Sequence, residues 1–211
     1  MSCHSSRASA LSSYFYCTFF LSIFLLGSCA VQPPVPEPER QTLWNTRQVS
    51  LGDLDNWNLT GRMSFRNEND AWSASVYWQE NPEQYQIQIV APLGQGGVEI
   101  KGDGNTVSLS TDDGRTFQEG EVELMMMQNL GWRVPASAMR YWVKGIPEPG
   151  SGIDELEIDE LGRPVNIRQS GWSISYQGYT RVKSYQLPVR INLQRDDASI
   201  RMIINYWNLT P

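Results

Sequence analysis

From Trp57 onward the apolar residues fall on every second position, and a chain with that period can bury them together only as strands of a sheet. Trp57, Leu59, Gly61, Met63 and Phe65 alternate with Asn58, Thr60, Arg62 and Ser64. Trp72, Ala74, Val76 and Trp78 alternate with Ser73, Ser75 and Tyr77, and Tyr85, Ile87 and Ile89 alternate with Gln84, Gln86 and Gln88. The pattern runs on through Val98 and Ile100, then Val107 and Leu109. It returns at Leu156 and Ile158, Val165 and Ile167, and Trp172, Ile174 and Tyr176. Val189, Ile191 and Leu193 follow, and Ile200, Met202, Ile204 and Tyr206 close the set. Turn signals such as NEND, ENPE, APLGQGG, KGDGN, ELGRP and QRDDAS separate the runs. One-sided alternation of this kind predicts a single antiparallel sheet of about ten to eleven strands with one apolar face.

Two segments break the period. Residues 39–54 place Leu43, Arg47, Leu51 and Leu54 near helical spacing, with Pro38 available for the first turn. Residues 119–145 read as two short helices, ELMMMQNLGW and VPASAMRYWVKG, the second starting at Pro135, with Lys144 in its last turn and Gly145 as its stop. An apolar sheet face must be covered, and these helices are the only cover available. They are too few for so large a sheet. The expected fold is therefore mainly β with an α lid, an incomplete antiparallel β-barrel enclosing an apolar cavity. Strand phase and lid position nominate Trp57, Met63, Phe65, Trp72, Trp78, Ile87, Ile89, Ile100, Met126, Leu130 and Trp142 as its lining. Met125, Met126 and Met127 cannot all face one way on a helix, and methionine suits surfaces that take variable apolar ligands. Phase alone does not separate cavity wall from packed core.

The N-terminus carries its own message. Residues 13–27 form an apolar run too short to span a bilayer, ended by Gly27, Ser28 and Cys29. Leu26-Gly27-Ser28-Cys29 resembles a bacterial lipobox, which predicts a signal peptide at 1–28 and acylation of Cys29. Cys3 and Cys17 would leave with the signal, so Cys29 has no disulfide partner. Residues 29–38 then form an acylated, Pro-rich tether, and 39–211 a single domain with its lid at about 119–145. Ala30 after the cysteine, where an Asp favours retention in the inner membrane, points by analogy to the outer membrane. Loss of Arg7 with the signal moves the formal net charge from −6 to −7, which argues against nucleic acid as a partner.

His4, in the signal, is the only histidine, so the mature chain has no Ser-His-Asp or Cys-His system and no His-based zinc site. No metal or cofactor is expected beyond the covalent lipid on Cys29. Carboxylate chemistry is what remains. Asp112–Asp113, Asp154–Glu155 and Asp196–Asp197 are adjacent pairs beside turn signals, and neighbours on a strand point opposite ways. An envelope-tethered, carboxylate-dependent glycan hydrolase and a structural scaffold lipoprotein stay open as alternatives.

A run of motifs then narrows the choice. The acylated cysteine, Trp57-Asn58-Leu59-Thr60-Gly61-Arg62, Pro92-Leu93-Gly94, Gly131-Trp132 with Pro135, Trp142 to Gly145 and a closing Tyr206-Trp207 together resemble the outer-membrane lipoprotein receptor family LolB. The resemblance implies an incomplete barrel with a helical lid and no catalysis. It implies a monomer, anchored in the outer membrane and facing the periplasm. Such a protein accepts lipoproteins from the carrier LolA, holds their acyl chains and places them in the inner leaflet of the outer membrane. It also implies that Leu93, between Pro92 and Gly94, is the exposed apolar tip that assists delivery. From the residues alone, Leu93 either folds back onto the core or stands out of the turn.

Overall fold

The computed structural model describes residues 34–94, 96–103, 106–119, 136–196 and 198–210. Cys29, the signal segment, the methionine run with Met126, Leu130 and Pro135 lie outside the described residues.

Helix α1, Glu37–Gly52, opens the described chain, with Pro36 capping it and Pro38 in its first turn. Both prolines suit that place, because the first amides of a helix have no partner within it. The helix begins two residues before the expected boundary at 39. Its buried stripe is also turned. Trp44 and Leu51 are buried, whereas Leu43 is 40% exposed. Arg47 stands between them on the inner side.

Strands β1 (Trp57–Arg66), β2 (Ala71–Glu80), β3 (Tyr85–Val90), β4 (Gly97–Gly102), β5 (Val107–Thr111) and β6 (Thr116–Glu119) follow as hairpins. Helix α2, Ala136–Trp142, precedes β7 (Ile153–Ile158), β8 (Pro164–Gln169) and β9 (Trp172–Tyr176). A hairpin of β10 (Tyr179–Val182) and β11 (Tyr185–Pro188) leads to β12 (Arg190–Arg195) and β13 (Ala198–Leu209). Eleven strands make one sheet in the order β6-β5-β4-β3-β2-β1-β13-β12-β9-β8-β7, and β10–β11 forms a separate pair. Every neighbouring pair is antiparallel, and the edge strands β6 and β7 do not pair with each other. The expected incomplete barrel is therefore an open, curled sheet. The β10–β11 hairpin and β6 were not legible as strands, since GYTRVKSYQLP and RTFQE show no clean alternation over their short lengths.

The alternation fails on β8, where Val165, expected inward, is 38% exposed, and again in the central pair β1–β13. The register slips between Thr60 and Gly61, so that Thr60 faces Tyr206 while Gly61 faces Ile204. The extra residue on β13 is a bulge, and it reverses the phase beyond it. Ile200, Met202 and Ile204 point inward as expected. Tyr206, expected inward, is 62% exposed, and Trp207 takes the interior place. Gly61 is required there, because a Cβ would stand 2.3 Å from the Ile203 carbonyl oxygen.

Candidate functional site

The interior face is built from the inward phase of the strands. Of the nominated residues within the described chain, Trp57, Met63, Phe65, Trp78, Ile87, Ile89, Ile100 and Trp142 are buried, and Trp72 is half-buried against them. Trp57 packs between Trp78 and Trp207, with ring centroids 5.3 and 5.4 Å away, at one end of β1. Phe65 stacks on Trp72 at 5.6 Å at the other end. Trp57 and Trp142 are completely enclosed by their neighbours, so these two act as packing pillars.

Helix α2 crosses this face and ties together strands that are far apart in the sheet. The Arg140 guanidinium forms an ion pair with Glu80 on β2. The Trp142 indole donates to Gln169 Oε1 on β8 at 2.8 Å, and the Tyr176 hydroxyl on β9 donates to the Trp142 carbonyl at 3.0 Å. Gln169 is fully buried and uses its whole hydrogen-bonding capacity. Its Oε1 also accepts from the Glu148 amide, and its Nε2 donates to the Glu148 and Ser151 carbonyls. The helix ends at Trp142, short of the expected stop at Gly145, whose φ is 76°, so Lys144 lies past its last turn. None of these polar anchors was visible in the strand pattern, since Glu80 and Gln169 read as the first residues of turns, ENPE and QSG.

Beneath the helix lies a small polar cleft of about 90 Å3 walled by Leu54, Trp57, Glu80, Arg140, Tyr141 and Lys144. The Glu80 carboxylate accepts from the Trp78 indole at 3.1 Å, and Lys144 Nζ donates to the Leu54 carbonyl at 2.9 Å. Burial raises the Glu80 pKa against the pull of Arg140, and burial brings Lys144 down from 10.5 to about 8 despite Glu80 nearby. The unfolded chain therefore holds the Lys144 proton more tightly between about pH 8 and 10.5, so this site adds stability as pH rises through that window. Below pH 8 its full cost is present. The buried hydroxyls of Tyr176 and Tyr179, whose pKa values burial raises, act in the opposite sense above pH 10. The denaturant midpoint is expected to rise between pH 8 and 10 by the equivalent of about 2 kcal/mol. In Lys144→Met that rise should vanish; a slope unchanged by the substitution would assign it to another group.

The β3–β4 connection supplies the second element. Pro92–Gly94 forms one 3₁₀ turn in which Leu93 takes left-handed angles, φ 60° and ψ 20°. An amide–carbonyl bond from Ala91 to Gly96, 2.9 Å, closes the base of the loop. Leu93 is 95% exposed, so it does not fold back onto the core.

The paired carboxylates stay apart from the interior. Asp112, Asp113 and Asp196 sit in exposed turns, Asp154 and Glu155 are exposed on the edge strand β7, and Asp197 lies outside the described residues. Asp113 is bound to Thr111 and Arg115, whose hydrogen bonds lower its pKa.

The sequence pattern of the family described as "Outer membrane lipoprotein LolB" matches residues 55–207. The Outer-membrane lipoprotein LolB of Chromohalobacter salexigens is 36% identical over 188 residues, covering 89% of this chain and 87% of that protein. Its counterpart in Nitrosococcus oceani is 32% identical over 190 residues, covering 90% and 94%. Among solved structures, a LolA superfamily protein from Nitrosomonas europaea superposes with a TM-score of 0.53 at 10% identity, covering 82% of this chain and 94% of that one. A putative outer membrane lipoprotein-sorting protein domain from Vibrio parahaemolyticus gives 0.52 at 8%, covering 82% and 91%. At such identities the structures speak for the shared fold alone, an open sheet crossed by helices. The sequence matches run nearly end to end, and on them this chain belongs to the LolB family of outer-membrane lipoproteins.

Proposed function

We propose that this chain is an outer-membrane receptor that takes acylated lipoproteins from a soluble periplasmic carrier of the LolA type and passes them to the membrane. It is anchored by its own acylated Cys29 and acts as a monomer without catalysis. The observation that carries the reading is an apolar sheet face that does not close on itself, with an exposed leucine standing at one end. Each methylene left in water costs about 0.8 kcal/mol, so acyl chains need an apolar shelter to cross an aqueous space. Met126 and Leu130 on the lid segment, with Met63, Phe65, Trp72, Ile87 and Ile89 on the strands, would supply that shelter. No nucleotide is needed if each acceptor binds more tightly than its donor, because about 1.4 kcal/mol biases the hand-over tenfold.

A glycan hydrolase would need two carboxyl groups about 5–9.5 Å apart in one groove. The buried carboxylate among the described residues is Glu80, and it is held by Arg140 and Trp78. A scaffold role would favour a flat exposed apolar patch, whereas the apolar face here turns inward. In the decisive experiment a soluble Cys29→Ala chain is mixed with carrier loaded with a labelled lipoprotein. The label is expected to move to this chain without added nucleotide. Label that stays on a demonstrably loaded carrier would end the receptor reading.

A further inference from the structure

The outward phase of the four central strands carries a second pattern, distinct from the interior. Asn192 on β12, Arg201 on β13, Ser64 on β1 and Ser73 on β2 stand directly opposite one another in a row across the sheet. The next row holds Gln194, Ser199, Arg66 and Ala71. Together with the intervening row of Leu193, Ile200, Phe65 and Trp72, these residues line an open groove of about 560 Å3. Arg201 is steadied by a 3.1 Å hydrogen bond from its Nε to Asn192 Oδ1. Arg62 and Arg190 continue the surface in the next row, with the exposed Ile203 between them. No Asp or Glu occupies an outward position on these four strands, since Glu80 turns inward. In a chain of net charge −6 this is a local reversal of sign.

Guanidinium, hydroxyl and amide donors grouped without a competing carboxylate suit an oxyanion. Acidic residues do occur just beyond the groove, in the hairpin turns: Glu68 and Asp70 after β1, and Asp196 after β12. They set a repulsion against a doubly charged phosphate and leave a singly charged phosphodiester as the better ligand. The location then selects its source. Ser75, the next outward residue on β2 after Ser73, faces Val90, and Val90 leads directly into the turn that carries Leu93. The groove therefore opens at the same end of the sheet as the exposed leucine. We infer that this groove binds phosphodiester headgroups of an anionic phospholipid surface and seats the domain there with Leu93 against the bilayer.

The inference rests on the receptor reading for its purpose, but its test uses neither carrier nor cargo, so the two can fail separately. The secreted chain with Cys29→Ala is floated with vesicles of phosphatidylcholine, with and without phosphatidylglycerol. Phosphatidylglycerol is expected to strengthen binding. Arg66→Gln with Arg201→Gln should remove about fivefold per arginine, about 25-fold together, on phosphatidylglycerol vesicles, with a smaller loss on pure phosphatidylcholine, whose phosphodiester is offset by its choline, and with the unfolding midpoint unchanged. Leu93→Glu should weaken binding to both vesicle types. Equal binding of the double variant and the parent to phosphatidylglycerol vesicles would overturn the inference. So would tight binding of soluble glycerophosphoglycerol with no gain on vesicles, which would mark a site for a free metabolite.

Discussion

Leu93→Glu is expected to cut transfer of lipoprotein from this protein to outer-membrane vesicles by about 100-fold while leaving loading from the carrier intact. Taking an exposed leucine side chain from water into lipid is worth about 2 kcal/mol, and an ionised carboxylate in the same place adds a cost of similar size. Together they amount to two or more decades in the population of the membrane-docked state. The backbone sharpens the prediction. Left-handed angles cost a bulky residue about 1–2 kcal/mol, yet Leu93 keeps them at φ 60° with 95% of its surface in water. Neither packing nor local geometry rewards leucine at that position. Leu93→Gly should accordingly raise Tm by about 2–4 °C and at the same time lower vesicle transfer about 30-fold. A stability gain opposed to an activity loss separates a membrane role from a structural one. Normal transfer by a normally loaded Leu93→Glu variant would remove Leu93 from the delivery step.

The interior was legible because burial writes itself into a period of two, and the strands from Trp57 to Ile100 keep that period without a break. It failed at Tyr206 because a bulge adds a residue on one strand only, and the cause, the close approach of Gly61 to the Ile203 carbonyl, is a contact between strands. The polar anchors were hidden for a related reason. Glu80, Gln169 and Arg47 satisfy partners that are remote in the chain, and a lone polar residue at a strand end or on a helix stripe gives no sign of what it will meet. The outer groove was invisible in a different way. Alternation treats every outward residue as merely solvated, so the lateral row from Asn192 to Ser73 exists only once the register is known. Leu93 was the exception, a local signal in the sequence whose exposure the fold then settled.

Arg47→Met is expected to destabilise the domain by about 3–4 kcal/mol, lowering Tm by roughly 10 °C. Arg47 sits at the i+3 position between Trp44 and Leu51, where an apolar residue would ordinarily complete the stripe of α1. Its guanidinium instead donates to the carbonyls of Lys144 at 2.9 Å, Gly145 at 3.3 Å and Gln186 at 2.7 Å. Two of these acceptors follow the end of α2, where unpaired carbonyls and the helix dipole both favour a cation. The third lies on β11, so one side chain joins α1, the end of α2 and the outlying hairpin. Its guanidinium also lies 5.2 Å from the Tyr179 ring centroid, and Arg163 packs against that ring at 4.8 Å. Methionine matches the length of the stem but donates nothing, leaving three carbonyls without their partner at about 1 kcal/mol each. Arg47→Lys should recover less than half of the loss, since a single ammonium lacks the planar fork that reaches separate acceptors. Thermal unfolding of the lipid-free chain measures both variants. A loss below about 1 kcal/mol would mean that α1 and α2 hold to the sheet independently. The expected larger loss would make Arg47 the joint that fixes α2 over the apolar face.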